Sequence, residues 1–367
     1  MTQPLRTLHV DTEHTWRGGE QQVVYLTTGL RERGHAADLV CQPGSPLAER
    51  AQAAGVPVWP LHMRGEGDLL AALRLSRIMA RGRYHIVHSH TSHAHVIAGL
   101  ASRLTLHPPK RVVARRVDFR IDTNPLSRLK YRWWCDRYIA VSQAVKRIMV
   151  AGGVPEDKIR VVNSSVDLAR FENVEAGGLR SELALPPDAI LIVNAAYLVE
   201  HKAQKYLVQA MPEVIRAFPN AYCLLVGDGD QRDNLERLVD QLGLRDRIIF
   251  TGFRKDALRF IKGADVSVMS SQEDGLGNSV QETLALRRPL VATNAGGIPE
   301  MVEDRVSGIV VERRDPHALA IGIIQMLSDP AAAARYGQAG RRTVEERFTV
   351  PLMVQKTLAV YRELVAE

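Results

Sequence analysis

The sequence predicts an α/β chain of two similar halves, each a parallel sheet with helices on both faces. Three observations predict it. Short apolar runs alternate with amphipathic segments at a steady pace. The pattern breaks once, from Leu168 to Asp188, and then restarts. At 367 residues the chain is too long for one ordinary core. Domains are expected at 1–170 and 189–346, with a connection at 171–188 and a final helix at 347–367.

In order, Leu8–Val10 reads as the first strand. Thr15 to Glu20 forms a loop containing Gly18 and Gly19, and a helix follows with Val23, Val24, Leu26 and Leu30 on one face. Gly34 suits a helix stop. Glycines just before a helix suit close approach to a phosphate or an acceptor, and equally a plain tight turn. The third glycine of a dinucleotide fingerprint is missing. Ala37–Cys41, Val56–Trp59, His85–His88, Arg111–Ala114 and Tyr138–Val141 read as strands, with helices at Pro46–Ala54, Leu69–Met79 and up to Leu104. Ile159–Asp167 closes the first half.

The second half opens with the strand Ala189–Ala196, the loop Tyr197–Gln204 and a helix to Phe218. Tyr222–Val226 ends in Gly227 and Gly229, and Arg247–Phe253 follows. Ala264–Met269 is a buried strand whose polar loop carries Asp274, Gly275, Leu276 and Gly277. A helix then begins at Asn278 and Ser279 and carries Glu282. Strand ends are where open α/β sheets bind ligands. Amides at a helix start favour an anion, and a carboxylate can accept both hydroxyls of a vicinal diol. A first-turn Glu that merely complements its helix dipole is the plainer alternative. Pro289–Thr293, the helix opened by Gly296–Glu300, and Ile309–Val311 complete the sheet.

Composition bounds the function. Hydrophobic residues make up 46% and charged residues 24%, as in soluble globular chains. No uncharged apolar run approaches bilayer length, and the N-terminus lacks a signal-peptide core. Cys41, Cys135 and Cys223 are isolated, without metal-type spacing, which suits buried thiols in a reducing compartment such as the cytoplasm. A net charge of +7 favours an anionic partner.

Two clusters admit several readings. His88, His90, His93 and His95 crowd one strand end. No acid or cysteine completes a zinc set there, so hydrogen bonding to a polyol or phosphate is expected, or a role as polar helix-entry residues. Arg115, Arg116, Arg120, Trp133 and Trp134 lie in a basic, aromatic stretch. It suits an anionic membrane surface, nucleic acid, or a solvated helix with Trp in the core.

With these residues laid out, the chain resembles family 4 of the retaining glycosyltransferases. The likeness rests on ordered motifs: Gly18-Gly19, Asn163-Ser164-Ser165-Val166-Asp167 with Phe171, Lys202, Gly227 and Gly229, Gly252-Phe253, the acids Asp274 and Glu282, and Gly296-Gly297-Ile298-Pro299-Glu300. It implies the GT-B architecture: two Rossmann-like domains facing a central cleft, with the C-terminal helix returning to the N-terminal domain. It implies sugar transfer from a nucleotide-diphosphate sugar to an acceptor hydroxyl, without metal, at the cytoplasmic side of the plasma membrane. The resemblance assigns Asp274, Glu282 and His93 to catalysis. Donor contacts fall to Lys202, Gly227, Gly229, Phe253, Gly275, Leu276, Gly277, Asn278, Ser279 and, on the ribose, Glu282 as well. Gly18 and Gly19 take the diphosphate or acceptor. A lipid-linked glycan is the implied acceptor, as in lipopolysaccharide or capsule assembly. Departures from the family pattern are Asp274 for a Glu, Tyr197 for an Arg, Ala203 for a Gly after the lysine, and Ser165 for a Gly. A sugar-nucleotide epimerase and a non-catalytic nucleotide-sugar or nucleic-acid binder are the competing functions.

Overall fold

The computed structural model describes residues 3–116, 131 and 134–367, in two compact units. Unit 1 comprises Met1–Ser165 and Val350–Glu367; unit 2 comprises Val166–Thr349.

Unit 1 holds β1 (Arg6–Val10), β2 (Ala36–Cys41), β3 (Val58–Pro60), β4 (Ile86–Ser89), β5 (Lys110–Arg115), β6 (Arg137–Ala140) and β7 (Ile159–Val161). They form one sheet in the order β3-β2-β1-β4-β5-β6-β7. Unit 2 holds β8 (Ile190–Ala195), β9 (Ala221–Val226), β10 (Ile248–Gly252), β11 (Val266–Met269), β12 (Leu290–Thr293) and β13 (Ile309–Val311), in the order β10-β9-β8-β11-β12-β13. The strand pairs in both sheets are parallel. Helices cover both faces, which is why strands such as Val266–Met269, apolar but for Ser267, are buried throughout.

Helix starts follow local chemistry. Ser45, Asp68, Thr91, Ser142, Asp315 and Asp329 each accept an amide of the first turn. One face of the unit 1 sheet packs Leu8, Val10 and Val87 against Leu75, Met79 and Ile97. The other packs Ile86, Val112 and Ile139 against Leu26 and Leu30, and against Val354, Leu358 and Tyr361 of the helix Val350–Ala366.

Residues 171–188, expected as a connection, fold with unit 2. Leu179 is buried with Leu191, Leu224 and Phe260, and Phe171 is buried too. Single apolar anchors in a polar stretch leave no periodic signal, so the sequence does not reveal them.

In unit 1 the helix Gly18–Glu32 meets the final helix at Gly29, where an added Cβ would sit 2.6 Å from Val354 Cγ2. Gly29→Ala should therefore destabilise the chain by about 1–3 kcal/mol in urea denaturation. Adding Val354→Ala should recover part of that loss; no recovery would mean the contact is not the cause.

Candidate active site

Each sheet has one place where the strand order reverses, and the loops leaving the two strands there diverge. In unit 2 it lies between β8 and β11. The loop after β8 carries Lys202 and the loop after β11 carries Asp274. Lys202 Nζ donates to Asp274 Oδ2 at 2.6 Å, and Ser271 Oγ donates to the same oxygen at 3.3 Å. The Asp274 side chain is 8% exposed and that of Lys202 19%, so the pair is largely out of water. Backbone bonds tie the loops together: Gln272 N donates to His201 O and Gly297 N to Asp274 O. Gly227 and Gly229 press against the Lys202 loop from behind. A Cβ on them would lie 2.0 Å from Ala196 O and 2.3 Å from Leu198 O. Their small size serves that packing.

Gly275, Leu276 and Gly277 are buried and lead into the helix Asn278–Ala285, whose N-terminus has no side-chain cap. Glu282 sits on this helix and is half-buried. Burial pushes its carboxyl up to about 7, and the charge of Arg170 pulls the other way. Glu282 and Arg170 line a cavity of about 530 Å³ together with Asn173, Lys255 and Arg259. Arg170 was not visible as a site residue in the sequence, because nothing local marks an arginine that will face a carboxylate 112 positions later. Phe253 stands 64% exposed just after β10.

In unit 1 the reversal lies between β1 and β4. Thr12 and Thr91, from the loops after these strands, share a hydrogen bond of 2.7 Å. Gly18 and Gly19 begin the helix Gly18–Glu32. His93 is exposed in the first turn of the helix Ser92–Arg103, whereas His88, His90 and His95 are buried. Among the described residues the exposed His93 ring is the one member of the strand-end cluster open to a ligand.

The buried histidines form a directional relay. Burial first, then Arg116, pushes His9 down to about 3, and His90 is held well below its usual range. Both rings are therefore neutral, with one N–H and one lone pair each. Arg116 only donates: Nη2 to His90 Nδ1 at 3.3 Å and Nη1 to Gly19 O at 3.2 Å. His90 Nε2–H then donates to His9 Nδ1 at 3.0 Å, and His9 Nε2–H to Thr7 Oγ1 at 3.1 Å. Thr7 ends the relay on Ala36 O. The nitrogens of His9, His88 and His90 lie within 4.8 Å of one another. That spacing suits a metal, but His9 and His90 have already committed their lone pairs. His9 escaped the sequence reading, since it is one polar residue in an apolar strand.

The basic stretch is corrected in part. Arg116 turns inward, Arg115 Nη1 donates to Tyr131 OH at 2.8 Å, and Trp134 packs on Gly99 with Arg103 5.0 Å over its ring. Arg115, Arg116 and Trp134 make contacts within the protein and are half-buried. Arg120 and Trp133 lie outside the described residues.

Two family descriptions match the chain: Glycosyltransferase Family 4 over residues 16–170, and Glycosyl transferases group 1 over residues 178–343. The chain is a glycosyltransferase that carries both domains, one in each half. This glycosyltransferase is 26% identical over 360 residues to an uncharacterized glycosyltransferase, MJ1607, of Methanocaldococcus jannaschii, covering 92% of each chain. It is 27% identical to the lipopolysaccharide core biosynthesis glycosyltransferase LpsE of Rhizobium meliloti, covering 90% of this chain and 92% of LpsE. Among solved structures, Anabaena Alr3699/HepE with UDP and glucose superposes with a TM-score of 0.85 at 20% identity, covering 98% of this chain and 100% of that one. The fold is that of the GT-B enzymes.

Two departures of this glycosyltransferase now have physical content. Ala203 has φ 53°, so the position after Lys202 demands the left-handed conformation that a glycine adopts without strain. Ser165 is clamped by Gln22, which accepts from its N–H at 2.8 Å and donates to its carbonyl at 2.7 Å.

Replacing Lys202 with Met leaves the buried Asp274 carboxylate with Ser271 alone. Stability in urea should fall by about 3 kcal/mol. Adding Asp274→Asn should return most of it; a double variant as unstable as the single one would show the pair is uncoupled.

Glu282 has a carboxyl raised from 4.5 to about 7. The folded state keeps a proton there that the unfolded chain releases, so this contribution is full below about pH 4.5 and is lost as pH rises through about 7. Glu282→Gln should flatten that slope, making the variant roughly 2–3 kcal/mol less sensitive between about pH 5 and about pH 8 by chemical denaturation. Identical slopes would place the carboxylate in water.

Proposed function

We propose that this glycosyltransferase moves a sugar from a nucleoside-diphosphate sugar to an acceptor hydroxyl, keeping the anomeric configuration. One observation carries the reading: a lysine and an aspartate meet at the strand reversal of unit 2, just before a helix with no side-chain cap. As the bond from the sugar carbon to the diphosphate breaks, negative charge collects on the leaving phosphate. Lys202 and the amides of Asn278 and Ser279 are placed to take up that charge, which makes a metal unnecessary for the step. Asp274 is then released toward the donor sugar. The acceptor oxygen bonds to the same face of the sugar carbon, and its proton goes to the departing phosphate oxygen.

Glu282, once ionised, holds the ribose diol, and the exposed Phe253 offers a ring to the base. Gly18, Gly19 and His93 stand at the strand reversal of unit 1, where we assign the acceptor side. The Anabaena neighbour solved with UDP, with UDP and glucose, and with UDP-glucose supports the donor class. Relatives named for lipopolysaccharide core biosynthesis support a lipid-linked glycan as acceptor. Among the described residues no helix is long and apolar enough to cross a membrane. A working place on the inner face of the plasma membrane fits that acceptor.

A thermal-shift screen of UDP-, GDP- and ADP-sugars tests the donor site. One nucleotide class should raise Tm, by the equivalent of about 2.7 kcal/mol at a hundred times its Kd. Glu282→Ala should lose the shift while keeping its circular dichroism. No shift with any of the sugars at millimolar concentration would remove the reading.

A further inference from the structure

The exposed apolar surface and the positive charge of unit 1 coincide on one helix. Leu69–Gly82 buries Ala71, Ala72, Leu75, Ser76 and Met79. Leu69, Leu70, Leu73, Arg74, Arg77 and Arg81 are exposed. At 3.6 residues per turn these six fill a single arc of about 140°. Leu69 and Leu70 are 68% and 69% exposed. A single exposed leucine needs no account, but three on the first turns of one helix make a patch.

The helix itself carries charge of one sign, with the acids Glu66 and Asp68 just before its start. The helix and its neighbour Ser92–Arg103 pack together on the same face of the sheet. Between them they carry Arg74, Arg77, Arg81 and Arg103 and no acid, so four of the seven net positive charges of the chain lie on this pair. Among the described residues Arg74, Arg77 and Arg81 enter no salt bridge. No ion pair among the described residues takes up these cations, and the leucines are exposed.

We propose that the helix Leu69–Gly82 is the face by which this protein docks on an anionic lipid bilayer. Leu69, Leu70 and Leu73 seat among the head groups, and Arg74, Arg77 and Arg81 meet the lipid phosphates. The alternatives fit less well. Nucleic acid would engage the arginines and leave the leucines in water. A second copy would set the arginines of one face against those of the other. The face also has a direction. Ser92, at the start of the neighbouring helix, donates to Glu66 just before Leu69, at 2.9 Å. The leucines therefore lie at the end of the sheet that carries His93. A lipid-borne acceptor would arrive at that same end, a consequence that rests on the proposed reaction; the docking itself does not.

The test is flotation of the full chain with phosphatidylcholine vesicles, with and without one quarter phosphatidylglycerol. Wild type should float only with the anionic vesicles and be released by high salt. A triple Arg74→Gln, Arg77→Gln, Arg81→Gln variant should partition on the order of a hundredfold more weakly. A triple Leu69→Ser, Leu70→Ser, Leu73→Ser variant should lose roughly tenfold or more at unchanged charge. All six side chains are exposed, so circular dichroism and Tm should hold, as should any nucleotide-sugar thermal shift. Absence of wild-type binding overturns the proposal, as does binding that survives both triples. Binding that only the arginine triple weakens overturns it too, since that is general polyanion attraction. So does a dimer in sedimentation velocity that the leucine triple dissolves.

Discussion

An ammonium and a carboxylate, both nearly stripped of water, stand where two diverging loops must be held together. The rest of unit 2 accommodates that pair. A buried ion pair is stable only while both partners stay satisfied. Ser271 therefore shares the Asp274 oxygen, and backbone bonds from Gln272 and Gly297 keep the loops in register. Gly227 and Gly229 let the loop after β9 pass beneath without a side chain in the way. The strain at Ala203 belongs to the same requirement, because the chain turns sharply right after the lysine. Such a site is rigid before any ligand arrives. On the proposed reaction, an incoming diphosphate would meet a cation whose present partner it can replace.

Unit 1 meets the same topological problem with different chemistry. At its own strand reversal it places neutral imidazoles in series, oriented from one end by a guanidinium that can only donate. Arg116 is itself half-buried, and Asp11 and Glu20 oppose the loss of its charge. The device fixes the carbonyl of Gly19 and every proton along the relay, and it keeps the histidines uncharged. His9 and His90 thus have a protein partner on each ring nitrogen, whereas His88 uses Nδ1 on Tyr361 and leaves Nε2 without a partner among the described residues.

The two arginine clusters of unit 1 look alike in composition and differ in burial. Arg115 and Arg116 are used up by a phenol, a carbonyl and an imidazole. Arg74, Arg77 and Arg81 are presented to solvent on a helix that also presents leucines. The former group lies in the stretch whose composition suits an anionic membrane surface, nucleic acid or a solvated helix. The proposed docking face rests instead on the solvent arc of a helix.

Much was legible from the sequence. Strands buried on both faces read as apolar runs, helix starts were marked by Ser, Thr and Asp, and the ordered motifs placed Lys202, Asp274 and Glu282 on loops and helices at strand ends. These are local signals, written within a few residues of where they act. Tertiary structure alone decided that Lys202 touches Asp274, 72 positions away, that Arg116 reaches Gly19 and His90, and that Leu179 joins a core. The physical reason is that strand order brings those groups together. Strand order follows from which faces can be buried at once over the whole sheet, and no stretch of the sequence carries that by itself.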